Sequence, residues 1–346
     1  MEVVASPRSA EDTVSSGALL QIDELRTHFF THDGVVRAVD GVTLHIQPGE
    51  TLGLVGESGC GKSVTAHSIL RLLPLKSSRI TEGAIRFRRR AGDQVDLAQV
   101  DPRGPLIRGI RGDEIAMIFQ EPMTSLSPVH TIGAQLAEVA QIHQGATRRD
   151  AYKRAEEMLS RVGIANPRQR LDEYPHQFSG GMRQRAMIAM ALMCNPRLLI
   201  ADEPTTALDV TVQAQILELL KELQSQFGMA ILMITHNLGV IAEMAHRVAV
   251  MYMGKVVEMA DSATIFDEPM HPYTVGLLRS MPQLGKDVKA RLVAIPGSVP
   301  DPFSIPPGCS FYPRCPAPKK PTCQGPDSVP LTEARPRHWV RCTLYQ

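Results

Sequence analysis

Four short apolar runs occur along this chain, and each of them ends in polar residues. The runs cover residues 51–55, 115–119, 198–201 and 230–234. Runs of this length, bounded by turn-forming and polar residues, predict strands that are buried on both faces of a parallel sheet. In open α/β sheets, ligands bind beyond the carboxyl ends of the strands, so the polar residues after these runs are candidate site residues.

The residues between these runs predict helices and a second set of strands. Apolar residues at helical spacing predict helices over 64–73, 131–162, 182–193 and 210–227. Alternating apolar and polar residues predict strands over 19–30, 35–46, 80–87 and 94–97, and a hairpin over 248–253 and 256–259. The fold class is therefore α/β, with a small antiparallel layer beside the central strands.

The segment after the first run fits the phosphate-binding pattern G-x-x-x-x-G-K-[ST]. It lies between a predicted strand and a predicted helix, a context that separates a functional loop from a chance glycine-rich turn. Its glycines let backbone N–H groups point at phosphate oxygens, while Lys62 would reach the β- and γ-phosphates and Ser63 would bind Mg²⁺. The predicted nucleotide-binding residues are Gly56, Glu57, Ser58, Gly59, Cys60, Gly61, Lys62, Ser63 and Val64.

The other three runs end in side chains that could complete a catalytic site. Asp202 is a candidate Mg²⁺ ligand, and Glu203 is a candidate group for polarising an attacking water. Gln120 and His236 end the remaining two runs. Solvated acids and a structural histidine are the alternatives, and the phosphate-binding pattern favours the catalytic interpretation of the two acids.

Two further features could contact a nucleotide. Ser179 is a candidate N-cap, and Gly180 and Gly181 expose backbone N–H groups at the same predicted helix start, so this turn is a second candidate anion site. At the end of the first predicted strand, Phe29 or Phe30 could stack on a purine base. Packing within the protein is the alternative for either phenylalanine.

The composition is that of an ordinary globular chain. It has 346 residues, of which 43% are hydrophobic and 21% charged, and its formal net charge of +1 gives no general signal for nucleic acid. No apolar stretch approaches the ~18–20 residues that cross a bilayer, and the first residues lack the basic and apolar pattern of a secretory signal. We therefore expect a cytoplasmic protein with reduced thiols.

Four of the six cysteines lie in the last 38 residues, in a proline-rich segment with weak helical and strand periods. They are Cys309, Cys315, Cys323 and Cys342. Disulfides are disfavoured in a reducing compartment, and the spacings lack the C-x₂-C pairs of common zinc sites. Zinc, an iron–sulfur cluster and free thiols therefore stay open. Cys60, within the phosphate-binding pattern, is interpreted as a small residue at a permissive position.

These motifs, in this order, resemble the nucleotide-binding subunits of ABC transporters. The family signature Leu-Ser-Gly-Gly-Gln is present as Phe-Ser-Gly-Gly-Met over 178–182, with its Ser-Gly-Gly core intact. The resemblance makes Gln120 the Q-loop residue, 198–203 the Walker B segment, 207–209 the D-loop with Asp209, and His236 the switch histidine. It implies a RecA-like core with an antiparallel β layer and a helical subdomain.

Further segments resemble the branch of that family that imports oligopeptides, dipeptides and nickel. They are Tyr-Pro-His-Gln over 174–177, His-Pro-Tyr-Thr-Val-Gly-Leu-Leu over 271–278, Ile-Pro-Gly-Ser-Val-Pro over 295–300 and Gly-Cys-Ser-Phe-Tyr-Pro-Arg-Cys-Pro over 308–316. Because some members of this branch hold a 4Fe–4S cluster in the same tail, the resemblance favours an iron–sulfur cluster on the four cysteines. We expect a structural role for it, in a module outside the ATPase motifs.

The resemblance implies an ATPase that works as one half of a pair. Two such subunits close around two ATP molecules, and each ATP lies between the phosphate loop of one subunit and the Ser-Gly-Gly turn of the other. Glu203 would be the general base, and His236 would hold the γ-phosphate and the attacking water. Gln120 would complete the Mg²⁺ shell and report to the membrane subunits.

The implied partners are a second ATPase subunit, expected to form a heterodimer, two membrane permease subunits and, indirectly, an extracytoplasmic binding protein. The complex would lie at the cytoplasmic face of the inner or plasma membrane and import peptides, with nickel as the alternative cargo. ATPases of the chromosome-maintenance and translation-factor kinds fit poorly, because this chain has one phosphate-binding pattern and no sustained heptads. We therefore expect no nucleic-acid partner, and Glu203 with His236 disfavours a regulatory module without turnover.

The expected organisation has three parts. Residues 1–18, which are rich in serine and alanine, form a flexible tail. Residues 19–261 form the ATPase domain, with the helical subdomain at about 121–190. Residues 262–346 form an irregular C-terminal extension that carries the four cysteines.

Overall fold

The computed structural model describes residues 17–120, 125–206, 208–281, 295–318, 321–326 and 328–346. The predicted tail over 1–16, the start of the helical subdomain at 121–124 and Ala207 of the D-loop lie outside these residues. Within them, the structure contains no helix with the length and apolar character needed to cross a bilayer.

The strands and helices follow the predicted order along the chain. The strands are β1 (Leu20–Thr31), β2 (Gly34–Ile46), β3 (Thr51–Val55), β4 (Ser78–Arg88), β5 (Gln94–Asp96), β6 (Ile115–Ile118), β7 (Leu198–Asp202), β8 (Ala230–Ile234), β9 (Arg247–Tyr252), β10 (Lys255–Asp261), β11 (Thr332–Arg335) and β12 (His338–Val340). The helices are α1 (Lys62–Ile69), α2 (Pro105–Ile110), α3 (Ile132–Gln144), α4 (Arg148–Arg161), α5 (Pro167–Arg170), α6 (Gly180–Leu192), α7 (Val210–Phe227), α8 (Leu238–Met244), α9 (Ser262–Asp267) and α10 (Pro272–Arg279).

The four apolar runs form one half of an eight-stranded sheet with the order β11-β12-β10-β9-β3-β8-β7-β6, in which β6 is an edge strand. Strands β3, β8, β7 and β6 are parallel neighbours, and all their residues are buried. The prediction of buried parallel strands is therefore confirmed. Because these strands run in the same direction, their carboxyl ends meet along one edge, where the candidate site residues follow.

The predicted antiparallel layer is a separate four-stranded sheet with the order β2-β1-β4-β5. Its apolar face shares one buried cluster with the central sheet and with α1, as Leu25, Leu54 and Ile69 show. Burial of this shared surface is the main favourable term that holds the two sheets together. Helix α1 therefore lies between the two sheets, and the segment that precedes it is confined from both sides.

The prediction of one continuous helical stretch over 131–162 is wrong. Helix α3 ends at Gly145, which has a left-handed conformation with φ of 61°, and α4 begins after Thr147, whose side chain accepts the N–H of Asp150. A left-handed glycine ends a helix because it incurs little of the steric penalty that a Cβ would bring. Both helices pack against α6.

The C-terminal extension is part of the central sheet. Strand β12 pairs antiparallel with β10, so that Met259 lies opposite Trp339. Trp339 is 6% exposed and belongs to the same buried cluster as Leu52 of β3. Strands β11 and β12, together with α9 and α10, give this region more regular structure than its sequence predicts. The division of the chain at residue 261 stays a prediction, since the sheet continues across it.

We predict that Trp339→Ala lowers the free energy of unfolding by about 3 kcal/mol, because it removes a large buried side chain that joins the extension to the sheet. Denaturant unfolding followed by far-UV circular dichroism measures this change. Tyr345→Ala, at a side chain that is 41% exposed, is the matched aromatic control and should change stability by less than about 0.5 kcal/mol. Equal stabilities of the Trp339 variant and the wild type would contradict the docking of the extension.

Candidate active site

The phosphate-binding pattern forms a tight loop between β3 and α1. Gly56 has φ of 151°, and a Cβ there would lie 2.2 Å from the carbonyl oxygen of Met251. Gly61 has φ of 108°, and a Cβ there would lie 2.2 Å from the carbonyl oxygen of Ala38. No side chain can be added at such distances, so the two glycines let the loop lie directly against β9 and β2. Cys60 is buried in this loop, and burial raises its thiol pKa.

Lys62 lies folded into the loop that precedes it. Its Nζ donates to the carbonyl oxygens of Gly56 at 2.7 Å and Glu57 at 3.0 Å, and the residue is 7% exposed. An ammonium group in this position stabilises the partial negative charges of the two carbonyl oxygens. The hydroxyl of Ser63 donates to Oδ1 of Asp202 at 3.2 Å, which connects the loop to the end of β7.

Three strand ends meet at the carboxylate of Glu203. Its Oε1 lies 2.9 Å from Nδ1 of His236, and its Oε2 accepts hydrogen bonds from the Gln120 amide at 3.0 Å and the Thr206 hydroxyl at 2.9 Å. Its backbone N–H donates to the carbonyl oxygen of Ile234 at 2.8 Å. The structure therefore brings together the three residues that the sequence placed after separate apolar runs. Thr206 was not predicted, because a threonine in a turn carries no signal of its own.

The two adjacent acids have different environments. Burial raises the pKa of Asp202, and the hydrogen bond from Ser63 offsets only part of that rise. Burial also acts to raise the pKa of Glu203, but hydrogen bonds from His236 and Thr206 outweigh it and lower the pKa below its usual value. Glu203 is therefore held ionised at neutral pH, as a group that accepts a proton or polarises water must be.

The predicted Ser-Gly-Gly turn lies at the exposed start of α6. The Oγ of Ser179 accepts the N–H of Met182 at 3.3 Å, which confirms the predicted N-cap. Gln184, which was not predicted, is buried and donates to the carbonyl oxygen of Pro204, next to Glu203. Asp209 caps α7 by accepting the N–H of Val212 at 2.9 Å.

The turn and the cap stand apart from the phosphate loop. In the described ranges, no hydrogen bond or ion pair joins Ser179, Gly180, Gly181 or Asp209 to that loop. Their contacts with a nucleotide stay a prediction.

Of the two candidate aromatic residues, Phe29 has the better position for a base. Thr27, two residues earlier in β1, faces α1 and contacts the Ser68 hydroxyl at 3.0 Å, and Phe29 shares that face because side chains alternate along a strand. Phe30 lies on the opposite face, 43% exposed, with the Arg79 guanidinium carbon 5.6 Å from its ring centroid. Stacking of Phe29 on a purine stays a prediction.

The four tail cysteines line one small cavity together with His271 and Phe311. The six cysteines of the chain all lie in described ranges, and no disulfide joins any of them. Burial raises the pKa of Cys309 to about 11, and the neighbouring cysteines contribute to the same direction. Among the described residues, no group of three or more metal-ligating side chains lies close enough to hold an ion. The predicted iron–sulfur cluster thus gains no direct support.

The extension also reaches the phosphate loop itself. Arg314 forms an ion pair with Glu57, with distances of 2.7 Å from Nη1 to Oε2 and 3.0 Å from Nη2 to Oε1. The hydroxyl of Tyr273 accepts the backbone N–H of Glu57 at 2.8 Å. The cysteine-containing module lies outside the ATPase motifs in sequence, as expected, but it contacts the phosphate loop directly. Sequence patterns did not reveal this contact, since 257 positions separate Arg314 from its partner.

Comparison with known proteins agrees with this geometry. The profile of the family described as ABC transporter matches residues 39–206, and the profile described as oligopeptide/dipeptide transporter, C-terminal region, matches residues 257–323. The chain is 50% identical to the oligopeptide transport ATP-binding protein AppD of Bacillus subtilis, over 95% of this chain and 97% of AppD. It is 52% identical to the dipeptide transport ATP-binding protein DppD of the same organism, over 86% of this chain and 87% of DppD.

A solved structure shows the same fold. The dimeric structure of MJ0796, described as a bacterial ABC transporter cassette, has a TM-score of 0.61 and 27% sequence identity, and it covers 70% of this chain and 98% of that chain. The phosphate loop, Gln120, the Ser-Gly-Gly turn and the two acids all lie within the matched family profile. The chain therefore belongs to the ABC transporter family, as an ATP-binding subunit of its oligopeptide and dipeptide transport branch.

Proposed function

We propose that this chain hydrolyses ATP to power the import of peptides through separate membrane subunits. The observation that carries this proposal is the carboxylate of Glu203, which contacts His236, Gln120 and Thr206 at the strand ends beside the phosphate loop. The relatives named as oligopeptide and dipeptide transport proteins support peptides as the cargo class. Nickel is the alternative cargo, and no observation on these residues favours it.

The residues of the site divide the chemistry of hydrolysis between them. On nucleotide binding, Lys62 would turn from the carbonyl oxygens of Gly56 and Glu57 to the β- and γ-phosphates, where it neutralises charge. Glu203 would orient the attacking water and take its proton, and His236 would steady the water and the γ-phosphate. This arrangement places the base directly after the end of strand β7.

The site offers oxygen ligands of the kind that Mg²⁺ prefers. The Ser63 hydroxyl and the Asp202 carboxylate lie 3.2 Å apart at the end of the loop, and the side-chain carbonyl of Gln120 is the third candidate ligand. Bound Mg²⁺ would neutralise charge on the β- and γ-phosphates. Its loss is expected to weaken ATP binding and to stop hydrolysis.

Two features support the proposal that this chain works together with a second ATPase subunit. The Ser-Gly-Gly turn is exposed and stands apart from the phosphate loop of its own chain, so a second ATPase subunit would supply the missing half of each site. The MJ0796 cassette, which has the same fold, is described as dimeric. We propose a heterodimer with a related subunit that is bound to two permease subunits at the cytoplasmic face of the membrane, with an extracytoplasmic binding protein delivering peptide.

We also propose that the four tail cysteines hold a 4Fe–4S cluster with a structural role. What supports it is that four sulfur ligands line a single apolar cavity, a donor set that suits an iron–sulfur cluster. Zinc and free thiols are the alternatives. The thiols would have to move closer together on binding, because the described residues show no group of three at ligand distances.

We predict that Glu203→Gln lowers kcat for ATP by at least about 100-fold and leaves MgATP binding in place, because the amide keeps the shape but cannot accept the proton. Phosphate release by the assembled transporter and binding of a fluorescent ATP analogue measure the two effects. Glu218→Gln, at an exposed acid on α7, is the matched control with wild-type turnover. Hydrolysis near the wild-type rate in the Glu203 variant would remove that residue from its role.

For the cysteine cavity, we predict that protein purified without oxygen contains iron and acid-labile sulfide in equal amounts and absorbs visible light. Cys315→Ser should lose both, whereas Cys194→Ser, at a buried cysteine near Val139, should keep them. Metal analysis and an absorption spectrum decide the question. A colourless wild-type protein with stoichiometric zinc, or with four titratable thiols in the tail, would exclude the cluster.

A further inference from the structure

We propose that Arg314 of the C-terminal extension is a positioning residue of the ATP site, because it holds Glu57 in the conformation that lets the phosphate loop bind MgATP. The proposal rests on the ATPase activity given above.

The ion pair between Arg314 and Glu57 is bidentate, with a buried guanidinium group and a carboxylate side chain that is 27% exposed. The two guanidinium nitrogens lie 2.7 Å and 3.0 Å from the two carboxylate oxygens, and the Arg314 side chain is 4% exposed. The remaining guanidinium nitrogen, Nε, donates to the carbonyl oxygen of Pro296 at 3.2 Å. Because all three nitrogens of the guanidinium group have partners, the group is held in one orientation, and it fixes the position of the Glu57 carboxylate.

An aromatic cluster supports the guanidinium group. Tyr252 at the end of β9, Tyr273 of α10 and Phe311 pack with ring centroids 4.6 Å to 5.4 Å apart. The Arg314 guanidinium carbon lies 5.8 Å from the Tyr252 centroid and 5.9 Å from the Phe311 centroid, within reach of cation–π attraction. Because all three rings are fully buried, this support is rigid, and it connects the extension to the central sheet.

Each polar group of Glu57 has its own partner. The carboxylate pairs with Arg314, the backbone N–H donates to the Tyr273 hydroxyl at 2.8 Å, and the carbonyl oxygen accepts from Lys62 at 3.0 Å. When Lys62 turns to the phosphates of ATP, one of these three contacts is lost. The other two both come from residues after β10. Within the loop, the carbonyl oxygen still accepts the backbone N–H of Cys60 at 3.3 Å, so the extension supplies the two contacts that hold Glu57 from outside the loop.

Charge gives a second reason for the pairing. Glu57 puts a carboxylate within a loop that must bind a polyphosphate, and two like charges at short distance repel. Arg314 cancels that charge and directs it away from the loop. An unpaired Glu57 would therefore weaken MgATP binding even where the fold is intact, which separates this role from simple packing.

The segment that carries Arg314 also carries two cysteines of the cavity. Backbone hydrogen bonds from Tyr312 to Cys309, from Arg314 to Phe311 and from Cys315 to Tyr312 make it a tight turn. A displacement of Cys309 or Cys315 would therefore shift Arg314. The affinity of the phosphate loop for nucleotide should accordingly depend on the cavity that these cysteines line.

The test measures KM and kcat for MgATP, together with the Kd of a fluorescent ATP analogue, in the full-length chain assembled with its partners. Arg314→Gln should raise KM and Kd at least about tenfold with a smaller change in kcat, since a partly buried carboxylate beside the phosphate site loses its partner. Arg314→Lys, which keeps the positive charge, should lie between that variant and the wild type. Arg335→Gln, at an exposed ion pair of the extension with Glu268, is the control with an unchanged KM.

The double variant Glu57→Gln with Arg314→Gln gives a result that loss of packing would not. Because it removes the unpaired charge, it should bind MgATP more tightly than Arg314→Gln alone. A wild-type KM in folded Arg314→Gln would overturn the proposal, as would a double variant that binds more weakly than the single one. If Arg314→Gln does not fold, the double variant Arg314→Lys with Tyr273→Phe replaces it. A wild-type KM in that double variant would also overturn the proposal. A wild-type complex that neither binds nor hydrolyses ATP would instead refute the ATPase assignment.

Discussion

The close approach of the phosphate loop to its neighbouring strands is the constraint on which the rest of the site depends. Gly56 lies against the backbone of Met251 in β9, and Gly61 lies against that of Ala38 in β2, at distances that leave no room for a Cβ. The loop is thus held by both sheets, and the antiparallel layer contributes to its shape. This geometry brings the loop next to the strand ends that carry Asp202 and Glu203.

The surroundings of Asp202 and Glu203 suit the two acids to different roles. Asp202 is buried beside the Ser63 hydroxyl, a position that suits coordination of a cation, whereas Glu203 is surrounded by donors that keep it ionised. Because Gln120 and His236, which follow two other strands, contact the same carboxylate, a change at either strand end alters the surroundings of Glu203. Such a network can connect the occupancy of the site to the movements of neighbouring subunits.

The sequence was informative wherever a pattern was local. The fully apolar runs predicted β3, β7 and β8 because a buried parallel strand needs no polar face, and the polar residue after each run predicted the site. Long-range contacts were not predictable in this way. Strand β12 has only three residues, which is too short to show an alternation of apolar and polar positions. Arg314 pairs with Glu57, which lies 257 positions earlier in the chain. The break at Gly145 carried a local signal, a glycine before a threonine cap, that the helical period obscured.

The most direct test of the account is the affinity of the assembled transporter for MgATP when this chain carries Lys62→Ala. The ammonium group of Lys62 donates hydrogen bonds to two carbonyl oxygens of the loop, those of Gly56 and Glu57. We expect its removal to weaken binding at the site of this chain by at least about tenfold, since a charge-assisted contact with phosphate is lost. Lys76→Ala, at an exposed lysine after α1, should bind as the wild type does. Wild-type affinity in the Lys62 variant would contradict the assignment of this loop as the nucleotide site.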